Sequence, residues 1–395
     1  TLDFDFDFGL RGVAAIAPVD GQYRPRGRGN PIRDVDYFVI HGSLDGDVAS
    51  FMGASVFERA SFSGDAFHFK ASLYVEDANH GQFNTTWGRS DMGGFFGWSL
   101  DTRPILDPDD QRQIARVALT AFLDASLQGD RASLPILRDP RHAAAWLPDD
   151  VFLVANYADS SFVPVADFEE DLDVTTGTAD GSRIVADGLS RWSERWIGLK
   201  WNALDSHVAR LAWDDRALDE EAAPASWAIE LANPPAIDAE THLIFELAAL
   251  PGSTLPKDWD EEADAEDEEG GEKNDGSQDG DEADKKDDGD EEDDASEPLD
   301  WTIEIVDGAG ERARLALSHD VPLHPPIETP VRRARLFERN DLSEPVLRRF
   351  SLPLADFVAE NSAFDPTTVR EIRFVFDRSE RGSIAVDGIG WSPDG

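Results

Sequence analysis

The sequence predicts an α/β part built on a small parallel sheet, followed by an all-β part built as an antiparallel sandwich. Short apolar runs bounded by turn residues, with a helix-like segment between two of them, occupy the first part of the chain. Helical periodicity then fades near Val163, and many short β-type runs separated by turns take its place. Alternating strands and helices are typical of parallel sheets, whereas closely spaced short strands are typical of sandwiches.

The predicted parallel strands are three apolar runs at residues 12–19, 37–40 and 67–75. Continuous apolar runs closed by glycine, proline or aspartate indicate strands that are covered on both faces. Between the second and third runs, residues 48–62 carry apolar side chains near helical spacing. The order strand, helix, strand predicts a right-handed crossover between neighbouring parallel strands.

A second helix is predicted to begin at Pro108. Asp107 is suited to be its N-cap, Pro108 occupies the first helical position, and Asp109 and Asp110 lie in the first turn. Its expected apolar face consists of Ile114, Val117, Ala118, Ala121, Phe122 and Ala125. Gly129 is expected to end it, and the helix should cover one face of the sheet.

The remaining chain predicts an antiparallel sandwich or jelly roll. Its expected strands lie at residues 191–201, 207–213, 226–231, 241–247, 301–305, 313–317, 371–376 and 382–386. We therefore expect two domains, an α/β domain at residues 1–160 and a β-sandwich domain at residues 161–395.

An acidic insert interrupts the predicted sandwich. Residues 258–297 contain 23 acidic residues and three lysines with almost no apolar side chains. A block of like charges without apolar residues cannot form a packed core, so we expect residues 258–298 to be a disordered loop within the second domain.

The charge of the chain indicates adaptation to salt. Its formal net charge is −45, from 81 acidic and 36 basic residues, and only six of the basic residues are lysines. The acidic insert accounts for −20, which leaves −25 for the rest. Molar salt shortens the Debye length to about 3 Å, so such a surface is tolerated there. This charge argues against nucleic acid and anionic membranes as partners.

Three further features of the sequence exclude some classes of protein. No apolar run approaches the roughly 20 residues of a membrane span. The chain has no cysteine, which excludes disulfides and thiolate metal sites but does not fix the compartment; secretion is compatible with the sequence. No H-x-x-x-H or H-E-x-x-H pattern occurs, and the acidic residues 167–173 are either a calcium-binding loop or, as we favour, a solvated face. We therefore expect neither a metal nor a cofactor.

Two residues are the candidates for catalysis. Asp45 follows the second predicted strand, and His80 follows the third. Open α/β sheets place their sites at the carboxyl ends of strands, so both side chains are expected at one sheet edge and within hydrogen-bond reach. Asp47 is the alternative acid, two residues further on. A turn aspartate and a surface histidine are the structural alternatives for the two positions.

The two loops carry a resemblance to a known superfamily. The segments HGSLDGDV at residues 41–48 and ANHGQFN at residues 78–84 resemble the acid and histidine loops of α/β-hydrolases. The segment AIAPVDG at residues 15–21 is similar to the strand after the nucleophile helix in the same enzymes. Residues 10–130 thus resemble the C-terminal portion of an α/β-hydrolase of the dienelactone-hydrolase or cutinase-like polyester-hydrolase type.

This resemblance implies a serine hydrolase acting on carboxylic esters, with Asp45 orienting His80 as the general base. No G-x-S-x-G motif occurs in the sequence, and Ser43, Ser55 and Ser99 lack the glycine-flanked elbow. The serine is therefore expected upstream of Thr1. Two alternatives remain open: a serine peptidase of the prolyl-oligopeptidase type, and an inactive binding or scaffold protein whose sandwich is the working part.

The second part resembles a carbohydrate-binding-module-like jelly roll of the galactose-binding type. The resemblance rests on the ending IRFVFDRSERGSIAVDGIGW at residues 372–391. It implies a polysaccharide or polymer surface as a possible second partner beside the ester substrate. Trp192, Trp196, Trp201 and Trp213 are either a sugar-stacking platform or part of the sandwich core.

Overall fold

The computed structural model describes residues 9–21, 29, 31–201, 203–216, 223–233, 236–251, 297–333 and 343–395. The acidic insert predicted to be disordered lies almost entirely outside these described residues, as does the N-terminal segment before Gly9.

The first sheet has four strands in the order β1-β2-β3-β4. Strands β1 (Gly12–Ile16), β2 (Asp36–Gly42) and β3 (Phe69–Val75) are parallel, and they coincide with the three apolar runs of the sequence. Strand β4 (Leu153–Asp159) pairs antiparallel with β3 along its whole length. The prediction of a small parallel sheet is confirmed, and the antiparallel edge strand is an addition that the sequence pattern did not indicate.

Helix α1 (Gly53–Arg59) connects β2 to β3, and helix α2 (Gly94–Gly97) follows in the loop after β3. Helix α3 (Pro108–Leu123) begins as predicted, because the Asp107 side chain accepts a hydrogen bond from the Asp109 N–H at 2.8 Å. After α3 the chain widens into one π-turn and reaches Gly129, whose φ of 71° ends the helical segment. Helix α4 (Leu134–Arg138) and a 3₁₀ helix (Pro140–Trp146) lead to β4.

Helices α3 and α4 cover one face of the first sheet. Ile114, Ala118 and Phe122 of α3 are buried against Phe38 and Phe69 of the central strands. The Phe122 ring stacks on Phe38 with 5.7 Å between centroids. This burial explains the period of the apolar residues along α3, since one side of the helix supplies the outer layer of the core.

The second part is an antiparallel β-sandwich, as the sequence predicted. Its strands are β5 (Val163–Ala166), β6 (Arg183–Asp187), β7 (Arg191–Gly198), β8 (Ala203–Asp214), β9 (Ser226–Glu230), β10 (His242–Ala249), β11 (Thr302–Val306), β12 (Arg312–Ala316), β13 (Ile327–Glu328), β14 (Ser343–Glu344), β15 (Arg348–Pro353), β16 (Glu371–Val375) and β17 (Arg381–Ser392). One helix, α5 (Leu354–Glu360), follows β15.

The sandwich strands form two main sheets. The first has the order β15-β10-β17-β8-β7 with β5 also paired to β17, and the second has the order β12-β11-β16-β9-β6. Strands β13 and β14 form a separate short pair. Between the two sheets lies a core that includes the fully buried rings of Trp213, Trp227, Trp301 and Trp391. The fold is thus mixed α/β with an added β-sandwich.

The two parts share a second hydrophobic cluster. Tyr37, Phe51 and Phe57 from the first part pack together with Val208 and Ala385 from the inner sandwich sheet. Helix α1 therefore lies between the first sheet and the sandwich. The domain division at residues 1–160 and 161–395 stays a prediction; in the structure this cluster joins the two parts.

In the described part of the chain, no helix is both long enough and apolar enough to cross a membrane.

Candidate functional site

The acid loop and the histidine loop meet at the carboxyl ends of β2 and β3. Strand β2 ends at Gly42, where an added Cβ would lie 2.3 Å from the carbonyl oxygen of Ala78. That same carbonyl accepts a hydrogen bond from the Leu44 N–H at 2.9 Å. Only a residue without a side chain allows this close approach of the two loops. Glycine at position 42 therefore sets the distance between the segments that carry Asp45 and His80.

Asp45 and His80 are in direct contact. The His80 Nδ1 and the Asp45 Oδ2 are 2.8 Å apart, and the Asp45 side chain is completely buried. The other carboxylate oxygen, Oδ1, accepts hydrogen bonds from the backbone N–H groups of Asp47 at 2.9 Å and Val48 at 2.6 Å. These bonds fix the carboxylate, so its free lone pairs face the imidazole. The expected contact between the two loops is present, and the catalytic role of the two residues stays a prediction.

The alternative acid occupies a different position. The Asp47 Oδ2 lies 4.0 Å from His80 Nε2, and the Asp47 side chain is 63% exposed. Asp45 therefore holds one ring nitrogen, and Asp47 lies near the other. Since an ionised carboxylate only accepts hydrogen bonds, the proton of neutral His80 belongs on Nδ1, and Nε2 carries the lone pair. Among the described residues, the His80 Nε2 makes no hydrogen bond.

A third carboxylate, Asp91, links the two loops through their backbone. Its Oδ2 accepts from the N–H groups of Gly46 at 2.8 Å and His80 at 3.0 Å. Its Oδ1 accepts from the Gly81 N–H at 2.8 Å and from the Asn79 Nδ2 at 2.7 Å. One side chain thus satisfies three backbone donors, one from the acid loop and two from the histidine loop. Asp91 fixes the spacing of the loops without touching the imidazole.

An indole ring covers the imidazole. The rings of Trp87 and His80 are stacked, with 5.6 Å between centroids and 8° between planes. Trp87 is itself largely exposed, so it shields one face of His80 while leaving the site open to solvent. Such a stack restricts rotation of the imidazole ring about its Cβ–Cγ bond. It therefore favours the ring orientation in which Nδ1 faces Asp45.

The electrostatics favour the imidazolium. The hydrogen bond that His80 donates to Asp45 raises the pKa of His80 above its usual value, and the charges of Asp45, Asp47 and Asp91 act in the same direction. Burial opposes this shift but does not cancel it. An imidazole surrounded by carboxylates is suited to accept a proton during a reaction, because the charged form is stabilised where it develops.

The sandwich contributes a residue that holds the end of the acid loop. Glu344 of β14 is buried, and its Oε2 accepts a hydrogen bond from the Phe51 N–H at 2.9 Å. Its Oε1 accepts from Ser50 Oγ at 2.5 Å and from the Lys200 N–H at 3.3 Å. A strand of the second part therefore fixes the segment after Asp45. Ser50 and Glu344 are 294 residues apart in the sequence.

Two other histidines, His41 and His68, lie near the same strands. His41 on β2 is buried, its ring stacks on Tyr74 with 6.0 Å between centroids, and burial lowers its pKa. His68 contacts Asp36 through Nδ1 at 3.0 Å, at the opposite end of the strands from His80. No group of three or more histidine, aspartate or glutamate side chains in the described ranges is arranged to hold a metal ion.

The four tryptophans nominated for a platform divide into two classes. Trp213 is fully buried in the sandwich core, and Trp192 is partly buried against it. Trp196 and Trp201 are each 59% exposed. The prediction that all four side chains form a platform is therefore wrong, because Trp213 lies in the core and Trp192 packs against it. Trp196 and Trp201 remain exposed.

Sequence reasoning missed Asp91, Trp87 and Glu344. Asp91 and Trp87 lie in the glycine-rich loop after His80, and no periodicity or spacing distinguishes them from other loop residues. Their proximity to His80 in sequence was the only available signal. Glu344 carried no signal at all, since its contact with Ser50 and Phe51 depends on how the sandwich packs on the first sheet.

No protein-family model matches the chain, and no curated protein matches it. Solved structures with similarity include the family 30 carbohydrate-binding module of a cellulosomal cellulase of Clostridium thermocellum, at 12% identity over 58% of this chain and 92% of that chain, with a TM-score of 0.28. A family 11 carbohydrate-binding module of Clostridium thermocellum, in complex with a β-1,3-1,4-mixed-linked tetrasaccharide, has 8% identity over 59% and 95% of the two chains, with a TM-score of 0.29.

An exo-β-agarase matches 59% of this chain and 25% of its own length at 10% identity, with a TM-score of 0.29. TM-scores of 0.28 and 0.29 are too low for a ligand or an activity to be transferred from these proteins.

Proposed function

We propose that the Asp45–His80 pair belongs to the catalytic triad of a serine hydrolase that acts on carboxylic esters. Asp45 orients the imidazole and stabilises its charged form, and His80 Nε2 takes the proton of a serine hydroxyl. The serine comes from a segment upstream of Thr1 in this proposal.

The observation that carries the proposal is the use of the two imidazole nitrogens. His80 Nδ1 is held by a buried carboxylate at 2.8 Å, and Nε2 has no hydrogen-bond partner among the described residues. A general base of the triad type needs this arrangement, because the acid fixes the tautomer and leaves Nε2 for the nucleophile.

The position in the fold supports the same proposal. Asp45 and His80 follow successive parallel strands, β2 and β3, and both lie at the carboxyl ends of these strands. Triad acid and histidine loops of α/β-hydrolases follow strands in this order. The nucleophile would attack the ester carbonyl to form an acyl-enzyme, and His80 would then deliver its proton to the leaving alcohol.

The test uses the gene product extended upstream of Thr1. A short-chain aryl ester is the substrate, and a fluorophosphonate probe reports an activated serine. We expect His80→Ala and Asp45→Asn, in protein that is still folded, to lower kcat by about three orders of magnitude or more. His142→Ala is the matched control, because His142 is exposed and distant in sequence from both loops. Esterase activity that survives His80→Ala undiminished contradicts the proposal.

The same preparation separates an esterase from a peptidase. Hydrolysis of a prolyl peptide amide with little activity on the aryl ester would favour the prolyl-oligopeptidase type. Absence of labelling and of hydrolysis in the extended protein would favour a binding or scaffold protein that retains only the framework of a hydrolase.

A second candidate function concerns the sandwich. Trp196 on β7 and Trp201 just after it are both 59% exposed, although large apolar side chains are normally removed from water. Exposed indoles stack on the apolar faces of sugar rings, so a polysaccharide or polymer surface is the proposed partner. Depletion of the protein by insoluble polysaccharides measures this binding. Loss of depletion in Trp196→Ala with Trp201→Ala, but not in Trp146→Ala, supports it; equal depletion of all variants refutes it.

A further inference from the structure

A buried network of three amide side chains lies beneath the histidine loop. Asn79 directly precedes His80, and Gln82 follows it in the short 3₁₀ helix Gly81–Phe83. The third amide, Gln111, lies near the beginning of α3. All three side chains are 0% exposed. Buried polar groups are normally hydrogen-bonded, so the contacts of these amides show which parts of the chain the network holds together.

Gln111 pairs with the backbone of Asn79 through both ends of its amide. The Gln111 Nε2 donates to the carbonyl oxygen of Asn79 at 2.7 Å, and the Gln111 Oε1 accepts from the Asn79 N–H at 3.2 Å. Two bonds to one residue fix both the position and the orientation of its backbone. Because Asn79 is joined directly to His80, the same bonds fix the point from which the imidazole side chain extends.

The Asn79 side chain connects the network to the loop that follows His80. Its Nδ2 donates to Asp91 Oδ1 at 2.7 Å and to the carbonyl oxygen of Gly88 at 3.1 Å, and its Oδ1 accepts from the Gln82 N–H at 3.0 Å. Asp91 also accepts from the His80 N–H at 3.0 Å. The backbone around His80 is therefore held by Asp91 on one side and by helix α3 on the other.

The contacts determine how each amide is oriented. The Gln82 Nε2 donates to the carbonyl oxygen of Leu106 at 2.9 Å and to Gln111 Oε1 at 3.2 Å. Both neighbours are oxygens, so the nitrogen of Gln82 must lie on this side. The Gln82 Oε1 makes no hydrogen bond within the described ranges. Gln82 therefore stabilises the orientation in which Gln111 pairs with Asn79.

The contact between His80 and Asp45 requires this precision. Their atoms Nδ1 and Oδ2 are 2.8 Å apart, and they belong to two different loops. A contact at about 3.6 Å is no longer a hydrogen bond, so a displacement of under about 1 Å would break the pair. Helix α3 is a rigid reference for the histidine loop, because Ile114, three residues after Gln111, is completely buried in the cluster that covers the first sheet.

We propose that Gln111 is a positioning residue for His80: by holding the backbone of Asn79, it keeps the imidazole within hydrogen-bond reach of Asp45. The catalytic meaning of this role rests on the proposed function. The geometry of the pair, in contrast, can be tested in this chain without any substrate.

The test is an NMR titration of the His80 imidazole in this chain, at a salt concentration at which the protein is folded. Gln111→Met keeps the length of the side chain and removes both bonds to Asn79. We expect the pKa of His80 to fall towards 6.5, because the bond that His80 donates to Asp45 lengthens. Asp45→Asn should then lower this pKa less in the Gln111→Met background than in the unchanged protein, since both changes act on one contact.

Gln113→Met is the matched control, because it is the same substitution two residues further along the same helix. The Gln113 Nε2 donates to the carbonyl oxygen of Trp146 at 3.0 Å, so this variant also loses a bond to a backbone carbonyl. It should leave the pKa of His80 and the response to Asp45→Asn unchanged. A purely structural role of Gln111 would lower the melting temperature without changing either quantity.

Each result decides the proposal. A lower pKa of His80 and a smaller effect of Asp45→Asn in Gln111→Met, but not in Gln113→Met, support it. An unchanged pKa in folded Gln111→Met, or an equal fall in both variants, overturns it. If Gln111→Met does not fold, Gln82→Met replaces it, because this variant removes the bond that orients the Gln111 amide and leaves the pair with Asn79 in place. It should lower the pKa of His80 by a smaller amount, and an unchanged pKa there also overturns the proposal.

The failure of this inference is distinguishable from the failure of the proposed function. An extended protein without esterase activity refutes the proposed function, whereas the titrations of His80 measure the pair itself and give their answer in either case.

Discussion

Ser50 Oγ donates a 2.5 Å hydrogen bond to Glu344 Oε1, and this contact joins the acid loop of the first part to strand β14 of the second. The Phe51 N–H donates to the other oxygen of the same carboxylate. The sandwich thus supports the segment that carries Asp45, in addition to packing on α1 and the first sheet.

Glu344→Ala is expected to destabilise the protein by about 1 to 3 kcal/mol, because Ser50 Oγ and the Phe51 N–H would remain buried without an acceptor. Chemical denaturation at fixed molar salt measures the free energy of unfolding. Glu344→Gln should cost less, since its amide oxygen can still accept one bond. Glu240→Ala, at an exposed position, should change stability by less than about 0.5 kcal/mol. A Glu344→Ala variant no less stable than Glu240→Ala would show that this contact contributes nothing.

The pKa of His80 is expected to lie above 6.5 and to fall in Asp45→Asn, because the hydrogen bond that His80 donates to Asp45 is the main cause of the shift. Titration of the imidazole carbon-bound proton by NMR measures it directly. Asp47→Asn is the matched control and should lower the pKa less, since Asp47 acts only through its charge at 4.0 Å. Equal shifts in the two variants would contradict the assignment of Asp45 as the acid.

The same shift predicts how stability depends on pH. A histidine whose folded pKa is raised contributes stability that is fully present below its unfolded pKa of 6.5. That contribution is lost as the pH rises from 6.5 through the folded pKa. The difference in unfolding free energy between the unchanged protein and Asp45→Asn should therefore shrink across this window.

Glu246 of β10 is expected to cause a second loss of stability with rising pH, which begins at a lower pH than that of His80. It is buried between the sandwich and the first sheet, and burial raises its pKa, although the Asn156 Nδ2 donates to its Oε2 at 2.6 Å. A carboxyl whose folded pKa is raised favours the folded state at low pH, and this stability is lost as the pH rises from 4.5 through the folded pKa. Glu246→Gln should therefore match the unchanged protein in stability near pH 4.5 and be more stable than it near pH 8.

Denaturation at a series of pH values measures this difference, and Glu230→Gln on an exposed position of β9 is the control that should show no such trend. If Glu246→Gln becomes less stable than the unchanged protein as the pH rises, the ionised carboxylate is stabilised by its surroundings.

Folding is expected to depend on salt even without the acidic insert. Residues outside 258–297 carry a net charge of −25, and this distributed charge repels itself at low ionic strength but is screened in molar salt. Thermal melting against KCl concentration should therefore show a strong salt dependence both for the full chain and for a chain with residues 258–297 deleted. A deletion variant that melts at one temperature across all salt concentrations would assign the whole effect to the insert.

Several elements were predictable because their signals are local. Asp107, Pro108 and Gly129 mark the two ends of the α3 segment through backbone preferences that do not depend on the rest of the fold. The three parallel strands were recognisable because burial on both faces requires continuous apolar runs. Helix α1 is shorter than the pattern indicated, since only residues 53–59 of the predicted 48–62 are helical and the preceding residues belong to the acid loop.

Other features depend on contacts between distant segments. Strand β4 lacks a distinctive pattern, and its antiparallel position beside β3 follows from the available edge of the first sheet. Trp192, Trp196, Trp201 and Trp213 look alike in sequence, yet packing buries Trp213 completely and leaves Trp196 and Trp201 exposed.

By itself the sequence determined that Asp45 and His80 follow successive strands, because chain order and strand periodicity are properties of short segments. The tertiary structure decided that Asp45 rather than Asp47 contacts Nδ1, that Asp91 joins the two loops, and that Glu344 supports them from the sandwich. These outcomes depend on directions and distances of a few ångströms, which arise only when separate segments are packed together.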